Sequence, residues 1–330
     1  MKKRLLTGLQ PTGNLTIGNY CGSIMQMLKY QDDFDTFLFV PDLHSITVKQ
    51  DPEELHRRIR ELVGIYLACG ISPEKNHIYL QSENLYHTNL SWILECHSYT
   101  GELSRMTQFK AKSQSKAATE ISCGLFTYPI LMAADILLYS ADCVPTGADQ
   151  KQHVELARTI ARRFNARYGE GTFTVPEPLI PQIGAKIRDL VDPTLKMSKS
   201  TINPKASIFL LDNEKDIRKK IMSAKTDSDG EVRFDEAEKP GLSNLLTIYA
   251  AFAGVSVEDA TAKFTGAGYG ELKRGVADVV VEVLTGIQDR YQKVVAEGRI
   301  DEVLDAGRDY AIAIAKEKYD EVRRLVGLGR

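Results

Sequence analysis

The chain has 330 residues, of which 43% are hydrophobic and 26% are charged, and its formal net charge is −2. This composition indicates a globular protein with two domains, or one large domain with an elaboration, and enough residues for a buried core. It excludes a whole-molecule attraction to nucleic acid or to a membrane surface, so a polyanionic partner would have to bind a local basic face.

Five widely spaced cysteines form no CxxC pair and no zinc-like pattern with histidine. Their odd number favours free thiols in a reducing compartment, and no metal site is expected. The basic start MKKRLL precedes no apolar run long enough for a signal peptide, and no segment approaches the length of a membrane span. We therefore expect a cytoplasmic protein with no membrane partner.

The first half of the chain alternates apolar runs with amphipathic segments. LLTGLQ, FLFV and HIYLQ are typical of buried strands and occupy residues 5–10, 37–40 and 77–81. Asp51, Pro52 and Glu54 predict a helix start with a capping box, and Gly70 predicts the end of that helix. Strands separated by helices indicate a parallel sheet, which binds ligands beyond the carboxyl ends of its strands.

Residues 84–140 have the pattern of a helical insertion. A strand, DCVPTG, and a helix over 149–168 follow it. Residues 172–205 are rich in Pro, Gly and Ser, which is typical of a linker, and the remainder of the chain is almost wholly helical in pattern. The expected fold is an α/β, Rossmann-like parallel sheet with a helical insertion, followed by an all-helical C-terminal domain.

The turn PTGNLTIGNY, residues 11–20, directly follows the first predicted strand. Gly18 would let a ligand approach the backbone closely, and the start of the following helix supplies N–H groups suited to a phosphate. The P-loop pattern GxxxxGK[ST] is absent, and GAGYG at 266–270 lacks the GxGxxG spacing. A phosphate site, if the chain has one, must therefore be built differently from these two motifs.

A second polar loop, KMSKS at residues 196–200, carries two lysines and two hydroxyl side chains. Taken alone, such a run is more often a solvated loop. Because it occurs with the first turn, on either side of an alternating α/β region, the pair predicts a mobile clamp for polyphosphate.

These motifs resemble the class I aminoacyl-tRNA synthetases, with TIGN in place of HIGH and with KMSKS unaltered. The tryptophanyl branch is most similar over essentially the whole chain, because its order and spacing are matched by GLQPTGNLTIGNY, GELSRMTQFK, LMAADILLY, GADQKQHVELAR, LVDPTLKMSKS and GLGR. The resemblance implies that ATP, carrying Mg²⁺, activates L-tryptophan to tryptophanyl-AMP. The tryptophanyl group would then pass to tRNA(Trp).

The resemblance also implies the residues that would bind ATP. They are Gln10, Pro11, Thr12, Gly18, Asn19, Gly147, Ala148, Asp149, Ile187, Lys196, Met197, Ser198, Lys199 and Ser200. The residues with an implied catalytic part, which stabilise the nucleotide and the leaving pyrophosphate, are Thr16, Asn19, Lys196, Ser198 and Lys199. Asp149 could equally be the N-cap of its helix, and both roles are compatible.

An amino-acid pocket is predicted from helical spacing, which places Tyr128, Met132, Asp135 and Tyr139 on one face. An aspartate in apolar surroundings needs a hydrogen-bond donor. The indole N–H could supply it, and phenylalanine, without a donor, would then be rejected. Pairing of Asp135 with an arginine, or capping of a neighbouring helix, is the alternative.

By resemblance, Asp135 accepts from the indole N–H, and Met132 and His44 wall the ring, although a lone histidine at a strand end is more often structural. Tyr128 and Gln150 would hold the α-amino group. Leu6 stands where relatives can carry an aromatic side chain.

The resemblance further implies three regions and a homodimer. Residues 1–190 would form the catalytic domain, with the dimer interface in the insertion 84–140. Residues 191–292 would contain the KMSKS loop and helices that recognise the anticodon, and 293–330 would pack back on the catalytic domain. Clustered basic residues on two helices are candidates for phosphate contacts to tRNA, or else solvated faces: Arg158, Arg162, Arg163, Arg167, Lys215, Arg218, Lys219, Lys220 and Lys225.

The sequence is also compatible with two other functions. A tyrosyl-tRNA synthetase would share the class and much of the architecture. A catalytically silent relative that binds RNA would keep the fold without forming an adenylate.

Overall fold

The structure, a computed structural model, describes residues 2–114, 120–147, 150–179, 186–199 and 203–330. Its centre is a parallel sheet whose strands are β1 (Arg4–Gly8), β2 (Asp35–Val40), β3 (Asn76–Leu80), β4 (Cys143–Pro145) and β5 (Glu177–Leu179). The spatial order is β3-β2-β1-β4-β5. Successive strands are therefore added on one side of β1 and then on the other. The carboxyl ends of β1 and β4 flank the switch point, where open α/β sheets bind ligands.

Helices cover the first crossovers of this sheet. After β1 come α1 (Ile17–Asn19), a π-helical turn (Tyr20–Ile24) and α2 (Met25–Tyr30), and after β2 come α3 (Asp42–Ser45) and α4 (Pro52–Ala68). The predicted start of α4 is correct in that the Asp51 side chain accepts from the Glu54 backbone N–H. The reciprocal half of the capping box is wrong, because the Glu54 carboxylate pairs with Arg57 and Arg58. Gly70 follows the helix at φ +97°, as its predicted stop requires.

The predicted helical insertion consists of α5 (Tyr86–Glu95), α6 (Thr100–Leu103), α7 (Thr107–Ser113) and α8 (Cys123–Leu138). The next helix, α9 (Lys151–Tyr168), follows β4 as predicted. The α8 helix begins at a good N-cap, since the Ser122 side chain accepts from the Leu125 N–H. Because α8 packs against both α5 and α9, side chains from the insertion reach the carboxyl edge of the sheet.

The linker predicted over 172–205 is wrong in part, because it contains β5 and several buried side chains. Phe173, Leu190 and Met197 are all at most 5% exposed. The strand was missed because it has three residues, including Pro178, and no alternating pattern. Proline is tolerated there because β5 is an edge strand.

The C-terminal region contains the helices α10 (Glu214–Met222), α11 (Pro240–Ala253), α12 (Val257–Phe264), α13 (Tyr269–Ala296) and α14 (Arg299–Leu325). The last helix packs closely on β3: a Cβ on Gly307 would lie 1.9 Å from the Ile78 carbonyl oxygen, so only glycine fits. The boundaries of the three domains stay predictions. The one at 292/293 falls inside α13, which is continuous to Ala296.

The core has two parts that use alternate residues of the strands. Leu38 and Ile78 belong to a cluster with α2, α4 and α10–α13, whereas Phe37 and Tyr79 belong to a cluster with α5, α8 and α9. Among the described residues no single helix is long and apolar enough to cross a membrane. The pair α11 and α12 meets that criterion only when taken together, across a bend of 112°.

Candidate active site

The turn after β1 is organised by Thr16 and Asn19. Thr16 is the N-cap of α1, and its backbone N–H and its hydroxyl both donate to the Asn19 side-chain oxygen, at 3.0 and 3.1 Å. The Thr16 side chain is only 1% exposed. Threonine therefore shapes the turn, while the Asn19 amide nitrogen takes part in neither of these bonds and is the better candidate for a phosphate contact.

The turn lies directly against the lysine loop. A Cβ on Gly18 would be 3.6 Å from the Met197 Cβ and 3.7 Å from the Ile187 Cβ. Met197 in turn donates its backbone N–H to the Ile187 carbonyl at 3.1 Å. The structure thus brings together three of the predicted nucleotide-binding residues, from segments that are far apart in sequence.

Lys199 reaches across to the first turn. Its ammonium donates to the Gln10 carbonyl at 3.1 Å, and burial lowers the pKa of the Lys199 ammonium to about 8. Gly13, at φ +67°, receives this loop, because a Cβ there would lie 3.0 Å from the Lys199 Cβ and 3.1 Å from its carbonyl oxygen. Lys196 is exposed. Lys199 thus lies next to a turn that offers backbone donors, which suits a polyphosphate.

The remaining predicted nucleotide contacts have varied positions. Pro11 is buried, Thr12 is half-buried and Gly147 is exposed at the end of β4. The Ser198 carbonyl accepts from the Ser207 hydroxyl at 3.0 Å, which ties the lysine loop to the following segment. Ala148, Asp149 and Ser200 lie outside the residues that the structure describes.

Asp135 lies in the last turn of α8 and is completely buried. Its Oδ2 is 2.8 Å from His44 Nε2, and its Oδ1 accepts from Gln81 Nε2 at 2.7 Å and lies 2.6 Å from His87 Nδ1. Burial alone would raise the pKa of this carboxyl. The hydrogen bonds from His44 and His87 outweigh that effect and lower its pKa to about 2. Asp135 is therefore an ionised acceptor, and its partners are neither the arginine nor the helix end of the alternative.

Of the other predicted pocket residues, His44 contacts this carboxylate and Tyr128 contacts His44. His44 meets the Tyr128 ring edge-on with a centroid distance of 6.1 Å, and the Tyr128 hydroxyl lies 2.9 Å from His153 Nε2. Met132 is half-buried and packs in the same apolar cluster as Leu6. Gln150 is the N-cap residue of α9, and its backbone carbonyl accepts from the His153 N–H.

Sequence reasoning missed Gln81, His87 and His153. Gln81 directly follows β3, so a polar residue at the carboxyl end of a parallel strand could have identified it. His87 carries no comparable signal, because it lies in the helical insertion and reaches Asp135 only through the packing of α5 on α8.

The predicted basic face of α9 is partly used inside the protein. Arg158 donates to the Pro176 carbonyl and pairs with Glu177, both at 2.6 Å, and Arg163 pairs with Glu102. Arg162 and Arg167 are exposed. In the part of the chain that the structure describes, no group of three or more His, Cys, Asp or Glu side chains is arranged to hold a metal ion, and all five cysteines are free.

Residues 1–285 match the model of the family described as tRNA synthetases class I (W and Y). The tryptophan–tRNA ligase of Halalkalibacterium halodurans is 50% identical over 330 residues, covering 100% of this chain and 99% of the relative. The tryptophan–tRNA ligase of Bacillus subtilis is 48% identical over 330 residues, with the same coverage.

Two solved structures are similar to this one over nearly their whole length. The tryptophanyl-tRNA synthetase of Mycoplasma pneumoniae has a TM-score of 0.91 at 38% identity, covering 100% of this chain and 99% of that one. The enzyme of Campylobacter jejuni, complexed with ADP and tryptophan, has a TM-score of 0.84 at 35% identity, covering 98% and 100%.

Proposed function

Because this chain belongs to the class I tRNA synthetases of the tryptophan and tyrosine family, we propose that it is a tryptophan–tRNA ligase. It joins L-tryptophan and ATP to give tryptophanyl-AMP and pyrophosphate, and it then transfers the tryptophanyl group to the 3′ end of tRNA(Trp). The observation that carries this proposal is the buried, ionised Asp135 at the carboxyl edge of the sheet, in contact with His44 and Gln81.

The selection of tryptophan follows from the acceptor capacity of Asp135. A carboxylate offers about four lone-pair positions, and His44, Gln81 and His87 use three of them. The fourth position, on Oδ2, suits one additional donor, and indole has a single N–H. A phenylalanine ring would leave this position without a donor, which is the kind of mismatch that gives strong discrimination between amino acids.

ATP binds, in this proposal, between the turn after β1 and the lysine loop. The tryptophan carboxylate attacks the α-phosphate in line and pyrophosphate leaves. Lys196 and Lys199, with the Mg²⁺ that ATP carries, neutralise the charge that develops on the leaving group, and Asn19 and the backbone of the turn position the nucleotide. No side-chain nucleophile is needed.

The contact of Lys199 with Gln10 has a consequence for this cycle. The ammonium has three N–H donors and uses one of them on the Gln10 carbonyl. In this proposal the lysine loop changes position between the free and the ATP-bound enzyme, so that the ammonium contacts phosphate. Ser198 and Met197 move with it, and Ile187 becomes available to pack on adenine.

The α-amino group of tryptophan is assigned to Tyr128 and Gln150. The Tyr128 hydroxyl is already in contact with His153, which orients it. Met132 and His44 form the walls of the ring site.

The experiment that tests the function is ATP–pyrophosphate exchange with tryptophan, tyrosine and phenylalanine in turn. The proposal predicts exchange that depends on tryptophan and is at least about a hundredfold weaker with phenylalanine, as expected for an unpaired buried acceptor. Exchange driven by tyrosine would identify the enzyme as the tyrosyl member of its family. No exchange with any of the three would support a silent RNA-binding protein.

We also propose a cytoplasmic homodimer, with the interface on the insertion 84–140. Large apolar side chains are exposed there and on the adjoining α3–α4 segment: Leu85 is 71%, Trp92 67% and Ile46 62% exposed. A second subunit would cover this surface. Sedimentation of Trp92→Glu tests this interface, with Tyr310→Glu, a change at an exposed aromatic residue on α14, as the control. Only Trp92→Glu should yield monomers. A dimer that survives Trp92→Glu would place the interface elsewhere.

A further inference from the structure

Asp135 is at one end of a buried, hydrogen-bonded chain of polar side chains to which the proposed reaction assigns no role. Beyond His87, the chain continues to the Tyr139 hydroxyl, which lies 2.9 Å from His87 Nε2, and to Asn84, whose Nδ2 donates to the same hydroxyl at 2.9 Å. All four side chains are at most 1% exposed. The hydrogen bonds in this chain have only a few consistent directions.

The donor and the acceptor of each hydrogen bond follow from the two ends of this row of polar side chains. A carboxylate only accepts, so His87 Nδ1 must carry a hydrogen and donate it to Asp135 Oδ1. Asn84 Nδ2 is a donor, so the Tyr139 oxygen accepts from it and its own hydrogen is available for His87 Nε2. The histidine thus has its Nδ1–H tautomer set by a partner at each ring nitrogen.

Packing holds the imidazole in this plane. The ring of Phe39 is stacked on His87 with an interplanar angle of 17°, and Tyr79 lies on it at 32°. Gln81 donates to the same oxygen of Asp135. Two donors therefore fix Oδ1, and rotation of the carboxylate, which would bring Oδ1 to the position of Oδ2, would break both bonds.

We infer that His87, oriented by Tyr139 and Asn84, is a positioning residue for amino-acid selection: it holds Asp135 so that Oδ2 keeps the acceptor position for the indole N–H. This inference rests on the proposed function. A determinant of amino-acid selection thus lies on α5. This residue contacts Asp135, and Asp135 lies between it and the site of the indole ring.

Tyr139→Phe tests the inference, because it removes the hydroxyl but keeps the ring and leaves Asp135 unchanged. The matched control is Tyr168→Phe. The Tyr168 hydroxyl lies 2.7 Å from His97 Nε2, and His97 Nδ1 is 2.7 Å from the Ile93 carbonyl, so the same tyrosine–histidine pair exists there without a carboxylate at its end.

The readout is ATP–pyrophosphate exchange, with KM measured separately for tryptophan and for ATP. Loss of one buried hydrogen bond in the chain should raise the KM for tryptophan about tenfold in Tyr139→Phe, with the KM for ATP unchanged and with weaker discrimination against phenylalanine. Tyr168→Phe should leave all three quantities at the wild-type value. His87→Gln, which can still donate to Asp135, should retain more tryptophan affinity than His87→Ala.

The outcomes separate the inference from the function. If the wild type does not use tryptophan, both fall. If it does, but Tyr139→Phe matches Tyr168→Phe or changes both KM values equally, only the inference is overturned. Nitrogen NMR of histidine-labelled wild type gives a check that needs no variant to fold: His87 protonated on Nδ1 alone supports the inference, and a hydrogen on Nε2 contradicts it.

Discussion

Asp135 and Lys199 are charged groups in the two halves of the site, and the protein holds them in different ways. Asp135 is completely buried and has three side-chain partners. Lys199 is half-buried and contacts a backbone oxygen of the turn after β1. The first arrangement resists any change in hydrogen bonding, whereas the second can be exchanged for another oxygen at little cost. We therefore propose that the fixed carboxylate selects the rigid ring and that the ammonium, which is held less firmly, contacts the departing phosphate.

The largest effect is expected from Asp135→Asn. The amide would place an NH2 group against a donor from His44, Gln81 or His87, and a buried hydrogen-bonding group left unsatisfied costs about 1–3 kcal/mol. We expect tryptophan-dependent exchange to fall by at least about a hundredfold, which corresponds to about 2.7 kcal/mol. Asp142→Asn, at the opposite edge of the sheet, is the control, and an equal loss in both variants would argue against a specific role.

Lys199→Ala tests the role of the ammonium in the lysine loop. Removal of the movable charge should slow adenylate formation by at least about tenfold, or 1.4 kcal/mol, while tryptophan affinity stays near the wild-type value. Pre-steady-state formation of tryptophanyl-AMP measures the first and equilibrium binding the second. Lys205→Ala, an exposed lysine near the same loop, serves as the control. Normal adenylate formation in Lys199→Ala would remove this lysine from the mechanism.

The pH dependence provides a third test. Because burial lowers the pKa of Lys199 to about 8, its ammonium is present below that pH and is lost above it. We expect kcat/KM for ATP to fall severalfold as pH rises from about 7 to 9, since this parameter reports the free enzyme. Lys199→Arg keeps its charge over this range and should abolish the fall. A wild-type profile that is flat above pH 8 would contradict the expectation.

The smallest effect is expected at Gly13, which receives the lysine loop. A methyl group there meets Lys199, and both this contact and the positive φ disfavour alanine. Gly266→Ala is the matched control, because Gly266 has φ +82° with no atom of the described chain within 4 Å of a Cβ. Overpacking of about 1 kcal/mol should raise the KM for ATP about fivefold in Gly13→Ala beyond the control. Equal KM values for ATP in the two variants would show that backbone strain alone, and not the contact with Lys199, accounts for the effect.

The parts of the fold with a strong local signal were predictable. The apolar runs of β2 and β3 and the start and stop of α4 lie where the sequence places them, because burial and capping act within a few residues. The edge strand β5 and the half-formed capping box were not. The pairing of β5 with β4 depends on which segments meet in space. The Glu54 carboxylate instead pairs with two arginines one turn farther along the same helix, a local competition that the capping-box pattern does not include.

The site divides along the same line. Helical spacing places Tyr128, Met132 and Asp135 on one face of α8, and the structure has them so. The partners of Asp135 come from α3, the end of β3 and α5, and no pattern along the chain joins these segments. Sequence can thus identify a buried charge that needs partners, but identification of those partners requires the packing.

The most direct test of the proposed role of Asp135 is a structure of this enzyme with L-tryptophan bound. We expect the indole nitrogen about 3 Å from Asp135 Oδ2, a normal hydrogen-bond distance, with Oδ1 still bonded to Gln81 and His87. An indole ring bound elsewhere, or an Asp135 that keeps only its present three partners while tryptophan occupies the site, would contradict it.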